Sequence, residues 1–243
     1  MKRILTFFLV LTLISGLSAC AGSTSEPSGG SSSAPSEPDV PISDSNPSSP
    51  ESGGSSLSEE SRNILIAYFT MPEDVDTAGV DAVAGASIVV RDGEVLGNVE
   101  YMASVINETV GGDLFRIETV QQYPLDHDPL IDQAAQEQES DARPELASHI
   151  DDPGRYDIIF LGYPNWWGDM PQALYTFLEE YDFSGKTIIP FCPHGGSGFS
   201  RTERTIAELQ PDAEVSENGL TVSRNDVADS AEEIARWAES LVR

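Results

Sequence analysis

The chain has 243 residues, with 41 acidic against 13 basic side chains and a formal charge of −28 at pH 7. That imbalance excludes nucleic acid as a partner, since a phosphate backbone calls for a basic patch; it suits solubility or docking onto a basic partner equally well. Two cysteines and three dispersed histidines, with no CxxC or HxxxH spacing, argue against both a disulfide framework and a metal site.

The N-terminus reads as a leader. Met1, Lys2 and Arg3 are followed by a mostly apolar run over 4–17 and then by Leu17-Ser18-Ala19-Cys20. Small residues before a cysteine at that place form a lipobox, so Cys20 is the expected lipidation site and the protein an extracytoplasmic lipoprotein held to the membrane only by that anchor. The apolar run is short for a spanning helix, which needs about 20 residues. A leader cut near Ala19, or left uncut as an anchor, is the other reading. Residues 21–61 are Ser, Pro, Gly and Glu with almost no large apolar side chains, a composition that reads as a flexible tether. Residues 62–243 remain, roughly 180 residues, which suits one domain with one core.

Within that domain, residues 63–69 (NILIAYF) are apolar throughout and read as a first strand buried on both faces. Residues 87–96 (SIVVRDGEVL) read as a hairpin around a D-G turn. Gly97-Asn98 leads into a helix with Val99, Met102, Ala103, Ile106 and Val110 on its apolar face, stopped by Gly111-Gly112. Residues 113–119 (DLFRIET) alternate as an edge strand does. A polar helix is expected from Pro129, ended at Arg143-Pro144. Residues 156–162 (YDIIFLG) form the central apolar strand and break at Tyr163-Pro164-Asn165 into a loop carrying Trp166 and Trp167.

Pro171 then opens a helix whose stripe is Ala173, Leu174, Phe177, Leu178 and Tyr181. A fourth strand over 187–192 (TIIPFC) runs into the glycine-dense loop 193–199 (PHGGSGF) and a helix over 202–209. A last strand near 219–222 precedes a helix with Ala231, Ile234, Ala238 and Leu241 inward. Alternating strands and helices joined by short turns predict an α/β fold with a doubly wound, five-stranded parallel sheet in the order 2-1-3-4-5. In that order the first, third and fourth strands are neighbours, and their carboxyl ends share the crevice where such sheets bind ligands.

That crevice would collect Thr70, the helix start at Gly97, Asn98 and Val99, the paired indoles and a loop rich in backbone N–H groups. Helix N-termini favour phosphate, and indoles favour a flat aromatic ligand.

The segment Tyr163-Pro164-Asn165-Trp166-Trp167-Gly168-Asp169-Met170-Pro171, with Thr187 after Phe183-Ser184-Gly185-Lys186, resembles the flavodoxin-like proteins of bacteria. Residues 64–70 resemble the family's first strand, and His194-Gly195-Gly196-Ser197-Gly198 its third loop; the likeness spans 62–243. The resemblance implies non-covalent FMN and electron transfer to a redox partner protein or a quinone. It places Thr70, Gly97, Asn98 and Val99 at the phosphate, and Pro164, Asn165, Trp166, Trp167, Gly168, His194, Gly195, Gly196, Ser197 and Gly198 around the ring. Three departures stand out. An insertion separates Thr70 from Gly97, Val99 replaces a hydroxyl donor, and Pro193 removes an N–H.

Several residues keep two readings at this point. Trp166, Trp167 and Phe199 are ring-stacking or packing residues. Asn98 is a phosphate contact or a helix cap. His194 steers protons or is simply exposed, and Arg91 compensates the phosphate or is a solvated turn residue. Glu73, Asp74 and Asp76 in the insertion would crowd the site with negative charge, disfavouring an anionic reduced ring and lowering its potential. Three functions therefore compete: an FMN electron carrier, an NAD(P)H-dependent FMN or quinone reductase, and a cofactor-free binding module on the same fold.

Overall fold

The computed structural model describes residues 63–80 and 82–242. The leader, Cys20 and the Ser/Pro/Gly segment lie outside the described residues. Strand β1 (Ile64–Tyr68) is buried along its whole length, as a strand flanked by sheet neighbours and covered on both faces must be. After it come three strands of a small antiparallel sheet: β2 (Ala82–Val83), β3 (Ile88–Arg91) and β4 (Glu94–Gly97). The β3–β4 turn has Asp92 and Gly93 at φ 53° and 86°, the pair of positive angles that a two-residue D-G hairpin requires. This sheet fills the insertion between β1 and helix α1 (Asn98–Val110).

The chain continues through β5 (Asp113–Arg116), α2 (His127–Glu139), β6 (Ile158–Gly162), α3 (Gln172–Glu180) and β7 (Thr187–His194). It closes with α4 (Thr202–Leu209), β8 (Glu214–Val215), β9 (Leu220–Ser223) and α5 (Ala231–Val242). The main sheet is parallel, in the order β5-β1-β6-β7, with β8 and β9 both pairing with β7. Taking β9 as the fifth strand, this is the expected 2-1-3-4-5.

The sixth strand, β8, has a local cause. Ile188 and His194 accept from Ser216 and Arg224 on the outer side of β7, while Phe191 and Pro193 accept from the β6 side. Pro190 therefore turns its missing N–H outward, and a single outer neighbour cannot pair through it. The chain instead pairs Ile188 with Val215 below that point and Phe191 with Leu220 above it.

Alternation along the strands divides the core. On one face Leu65, Ala67, Ile159 and Leu161 pack with Ala173, Leu174, Phe177 and Leu178 of α3 and Ile206 of α4. On the other, Ile64, Ile66, Ile158 and Phe160 pack with Met102, Ala103 and Ile106 of α1 and Ile234 and Ala238 of α5. The edge strand β5 leaves Leu114 exposed, and beyond it 118–120 pair with 145–147 through Ala147 N–H to Glu118 O and Val120 N–H to Glu145 O. Among the described residues no helix is long and apolar enough to cross a membrane.

Candidate functional site

The carboxyl ends of β1, β6 and β7 open into a cleft of about 180 Å³, whose lining includes Thr70, Asn98, Val99, Trp166, Trp167 and His194. Its floor is set by close approach. Thr70, just past β1, is 3% exposed, and a Cβ on Gly97 would overlap its hydroxyl outright. Only glycine lets the start of α1 reach the end of β1 so closely. A Cβ on Gly162 would likewise come within 2.8 Å of Val99 Cγ1. The N-terminus of α1 is thereby pinned over the strand ends, with the Asn98 N–H donating to Ser87 O at 2.8 Å.

Asn98 is 2% exposed and lines the cleft. Its Oδ1 is the one buried side-chain polar atom among the described residues that has no hydrogen-bond partner. Leaving such a group unpaired costs about 1–3 kcal/mol, so this atom marks a place where a donor from a ligand is expected.

The two indoles have different tasks. Trp166 is half-buried, edge-on to Phe69 at 5.5 Å and to Tyr123 at 5.7 Å, and it supports the wall. Trp167 is 61% exposed, stands at φ 54° and donates its indole N–H to Ile131 O at 3.2 Å. It is the indole with a free face. Phe199 belongs to the core, tilted against Tyr163 at 6.5 Å.

Asn165 lines the cleft but spends its side chain on loop geometry. It donates to Gly198 O at 2.8 Å and Ser200 Oγ at 3.0 Å, and accepts from the Gly168 N–H at 3.0 Å. His194 Nδ1 accepts the Gly196 N–H at 2.9 Å, which leaves Nε2 as the free ring nitrogen. Pro164, Pro193 and Gly195 line the cleft with them. Of the expected contacts, Gly97, Gly168, Gly196, Ser197 and Gly198 do not line it. Gly97 is used against Thr70, and the others shape the two turns that Asn165 ties together.

Eight cleft residues escaped the sequence reading as contacts, among them Ser87, His127, Ile131 and Arg224. His127 comes from the start of α2 and Arg224 from the end of β9, so nothing in the local sequence links them to the strand ends. Of Glu73, Asp74 and Asp76 in the insertion, only Glu73 lines the cleft. Its side chain meets His127 Nδ1 at 2.7 Å, and that bond raises the His127 pKa above its ordinary value. Asp76 instead accepts from its neighbour Ala78 N–H. Arg91 is remote from the cleft; it pairs with Glu108 at 2.9 Å and lies over Tyr101.

Asp169 was missed as a support. Its side chain is 3% exposed and accepts from Arg201 at 2.9 Å, the Met170 N–H at 2.9 Å and Tyr175 Oη at 3.1 Å. Burial and that carboxylate push the Tyr175 phenol up to about 12, so it stays a donor. Asp169 thus holds the loop that presents Trp167. Burial also raises the Cys192 thiol, making it a core residue and no nucleophile. No group of His, Cys, Asp and Glu among the described residues could hold a metal ion.

A doubly wound parallel sheet with a helix N-terminus, an indole and Gly195 at its strand ends has the architecture of the α/β proteins whose ligands sit at a topological switch point. Residues 88–241 match the family model described as Flavodoxin. The chain belongs to the flavodoxin family.

No curated protein matches it. Among solved structures, a candidate flavoprotein from Bacteroides eggerthii is 25% identical, with 71% of this chain and 98% of that one covered and a TM-score of 0.50. One from Bacteroides uniformis is 25% identical over 70% and 98%, at a TM-score of 0.49. A flavoprotein from Lactobacillus acidophilus in complex with FMN is 19% identical over 69% and 97%, at 0.46.

Proposed function

We propose that this flavodoxin-family chain binds FMN and transfers electrons, tethered outside a membrane by a lipid on Cys20. The observation that carries the reading is the unpaired, buried Oδ1 of Asn98, a residue that lines the cleft at the N-terminus of α1. FMN offers groups for each feature there: a phosphate for the helix terminus and Thr70 hydroxyl, hydroxyl donors for Asn98, and a flat ring for Trp167. Bound there, FMN would supply reversible uptake of electrons. The protein's part is to bind, orient and set the local charge. Asp169 and Asn165 fix the Trp167 loop, and Gly195 and His194 face the ring end of the cleft.

The enclosed volume of about 180 Å³ is below the roughly 300 Å³ at which small-molecule sites begin. The ring would therefore rest partly on the open rim beside Trp167. That same volume, with the Glu73 carboxylate in the lining, favours the cofactor-free module as the second reading. Titrating FMN against the protein separates them. Quenched flavin fluorescence that saturates at one equivalent supports the carrier, and undiminished fluorescence in excess protein refutes it. The tether is checked by expressing C20A, which should move the protein from the membrane fraction to the soluble one.

A further inference from the structure

Arg224 is unlike every other described arginine. Arg91 is engaged by Glu108, Arg143 by Glu179, Arg201 by Asp169 and Arg204 by Glu208. Arg116 lies by Glu100, Arg155 by Asp113, and Arg236 donates to the Glu232 carbonyl. The Arg224 guanidinium has no such partner among the described residues, in a chain with 41 carboxylates. It is nevertheless held in place. Its backbone N–H donates to His194 O at 2.8 Å, extending the β7–β9 ladder. The guanidinium lies over Gly195, 3.8 Å from where a Cβ there would stand, and it lines the cleft.

The surrounding charges decide what that cation meets. Glu73 is the one carboxylate in the lining and is taken by His127 at 2.7 Å; His194 is the remaining titratable neighbour. Among the lining residues Glu73 and His127 thus offset each other, and Arg224 is the charge no carboxylate takes up. This holds although the chain carries −28 and Asp128, outside the lining, lies close enough to act on His127.

We propose that Arg224 stabilises negative charge on the ring at the mouth of the cleft, so that the site favours the reduced, anionic form and has a raised potential. The proposal rests on the FMN reading. Two electrons and one proton added to a neutral ring, here from a chemical reductant, leave one negative charge. A guanidinium beside the ring stabilises that charge and leaves the oxidised form nearly untouched. This reverses the lowered potential that the acidic insertion suggests from sequence.

The test compares wild type, R224Q, R224K and, as a surface-charge control, R204Q in the full-length protein in detergent. FMN affinity is measured by fluorescence and the midpoint potential by dye-coupled reduction. In R224Q, oxidised FMN affinity should change by less than about threefold. Reduced-form affinity should fall about tenfold, a downward shift of about 30 mV for a two-electron couple. R224K should recover most of the shift, R204Q should show none, and high salt should shrink the difference because the group is exposed. An unchanged potential in R224Q that still binds FMN overturns the proposal alone. Equal losses for oxidised and reduced FMN overturn it too, because they describe a phosphate contact. Failure of wild type to bind FMN overturns the FMN reading and this proposal with it.

Discussion

Substituting Gly97 by alanine isolates the contact on which the cleft floor depends. Gly97 has φ −69° and ψ 151°, a backbone that alanine adopts freely, so the change brings no conformational strain. By restricting the unfolded chain it would stabilise by about 0.4–1 kcal/mol on its own. Against that, the new Cβ overlaps the Thr70 hydroxyl and stands 3.2 Å from Thr70 Cβ and 3.3 Å from Pro72 Cδ. Forcing extra atoms into such a packed place costs about 1–3 kcal/mol. The steric term wins, and G97A should lose about 1–2 kcal/mol in urea denaturation with an unchanged m-value.

The companion variant T70A removes the overlapped hydroxyl together with a buried methyl group and should cost about 1 kcal/mol alone. Combined with G97A it should cost less than the sum of the two, with a coupling of about 1 kcal/mol. A G97A protein as stable as wild type, or a strictly additive double variant, would refute the close-packing argument for Gly97.

Other consequences can be checked alongside. Phe160 is fully buried at the centre of β6, so F160A should cost about 3–5 kcal/mol, seen as a large drop in the urea midpoint. D169A should cost about 2–3 kcal/mol, because it removes the carboxylate acceptor of the Tyr175 phenol and Arg201 and leaves the Met170 N–H unpaired; its near-ultraviolet circular dichroism should show a loosened Trp167. W167A, at an exposed position, should stay within about 0.5 kcal/mol of wild type yet weaken FMN quenching. Glu73 raises the His127 pKa, so the pair stabilises fully below the ordinary histidine value of about 6.5 and loses that contribution as pH rises through the higher folded value. NMR titration should find the His127 pKa elevated in wild type and near-ordinary in E73Q.

The sequence revealed the fold wherever burial left a period. Residues 64–68 and 158–162 are apolar on both faces, so they announce central parallel strands. The stripe of α3 and the D-G hairpin were equally plain. Strand β8 was not, because two residues carry no period; its cause is Pro190, a residue on a different strand. The site divided the same way. Thr70, Asn98 and the indole loop follow their strands directly and were found, though not the division of labour between Trp166 and Trp167. Which indole packs depends on Phe69 and Tyr123, far away in the chain.

The charge of the cleft shows why composition misleads at this scale. Glu73, Asp74 and Asp76 in the insertion, on a chain of −28, suggest a site crowded with negative charge. Yet screening confines an exposed charge to about 10 Å, so a local field depends on which side chains reach the cleft. The sheet order brings the end of β9 beside β7, and with it Arg224, while the fold of the insertion admits Glu73 and pairs it with His127. Total charge then governs how the surface meets partners, and topology governs what a ligand between the strand ends experiences. R224E, which inverts the one unspent charge at the mouth, should therefore lower the potential further than R224Q. Substituting Glu94, an exposed acid on β4 outside the cleft lining, by lysine makes an equally large change in net charge and should leave the potential unmoved. Equal and opposite shifts in the two variants would show that net charge sets the field after all.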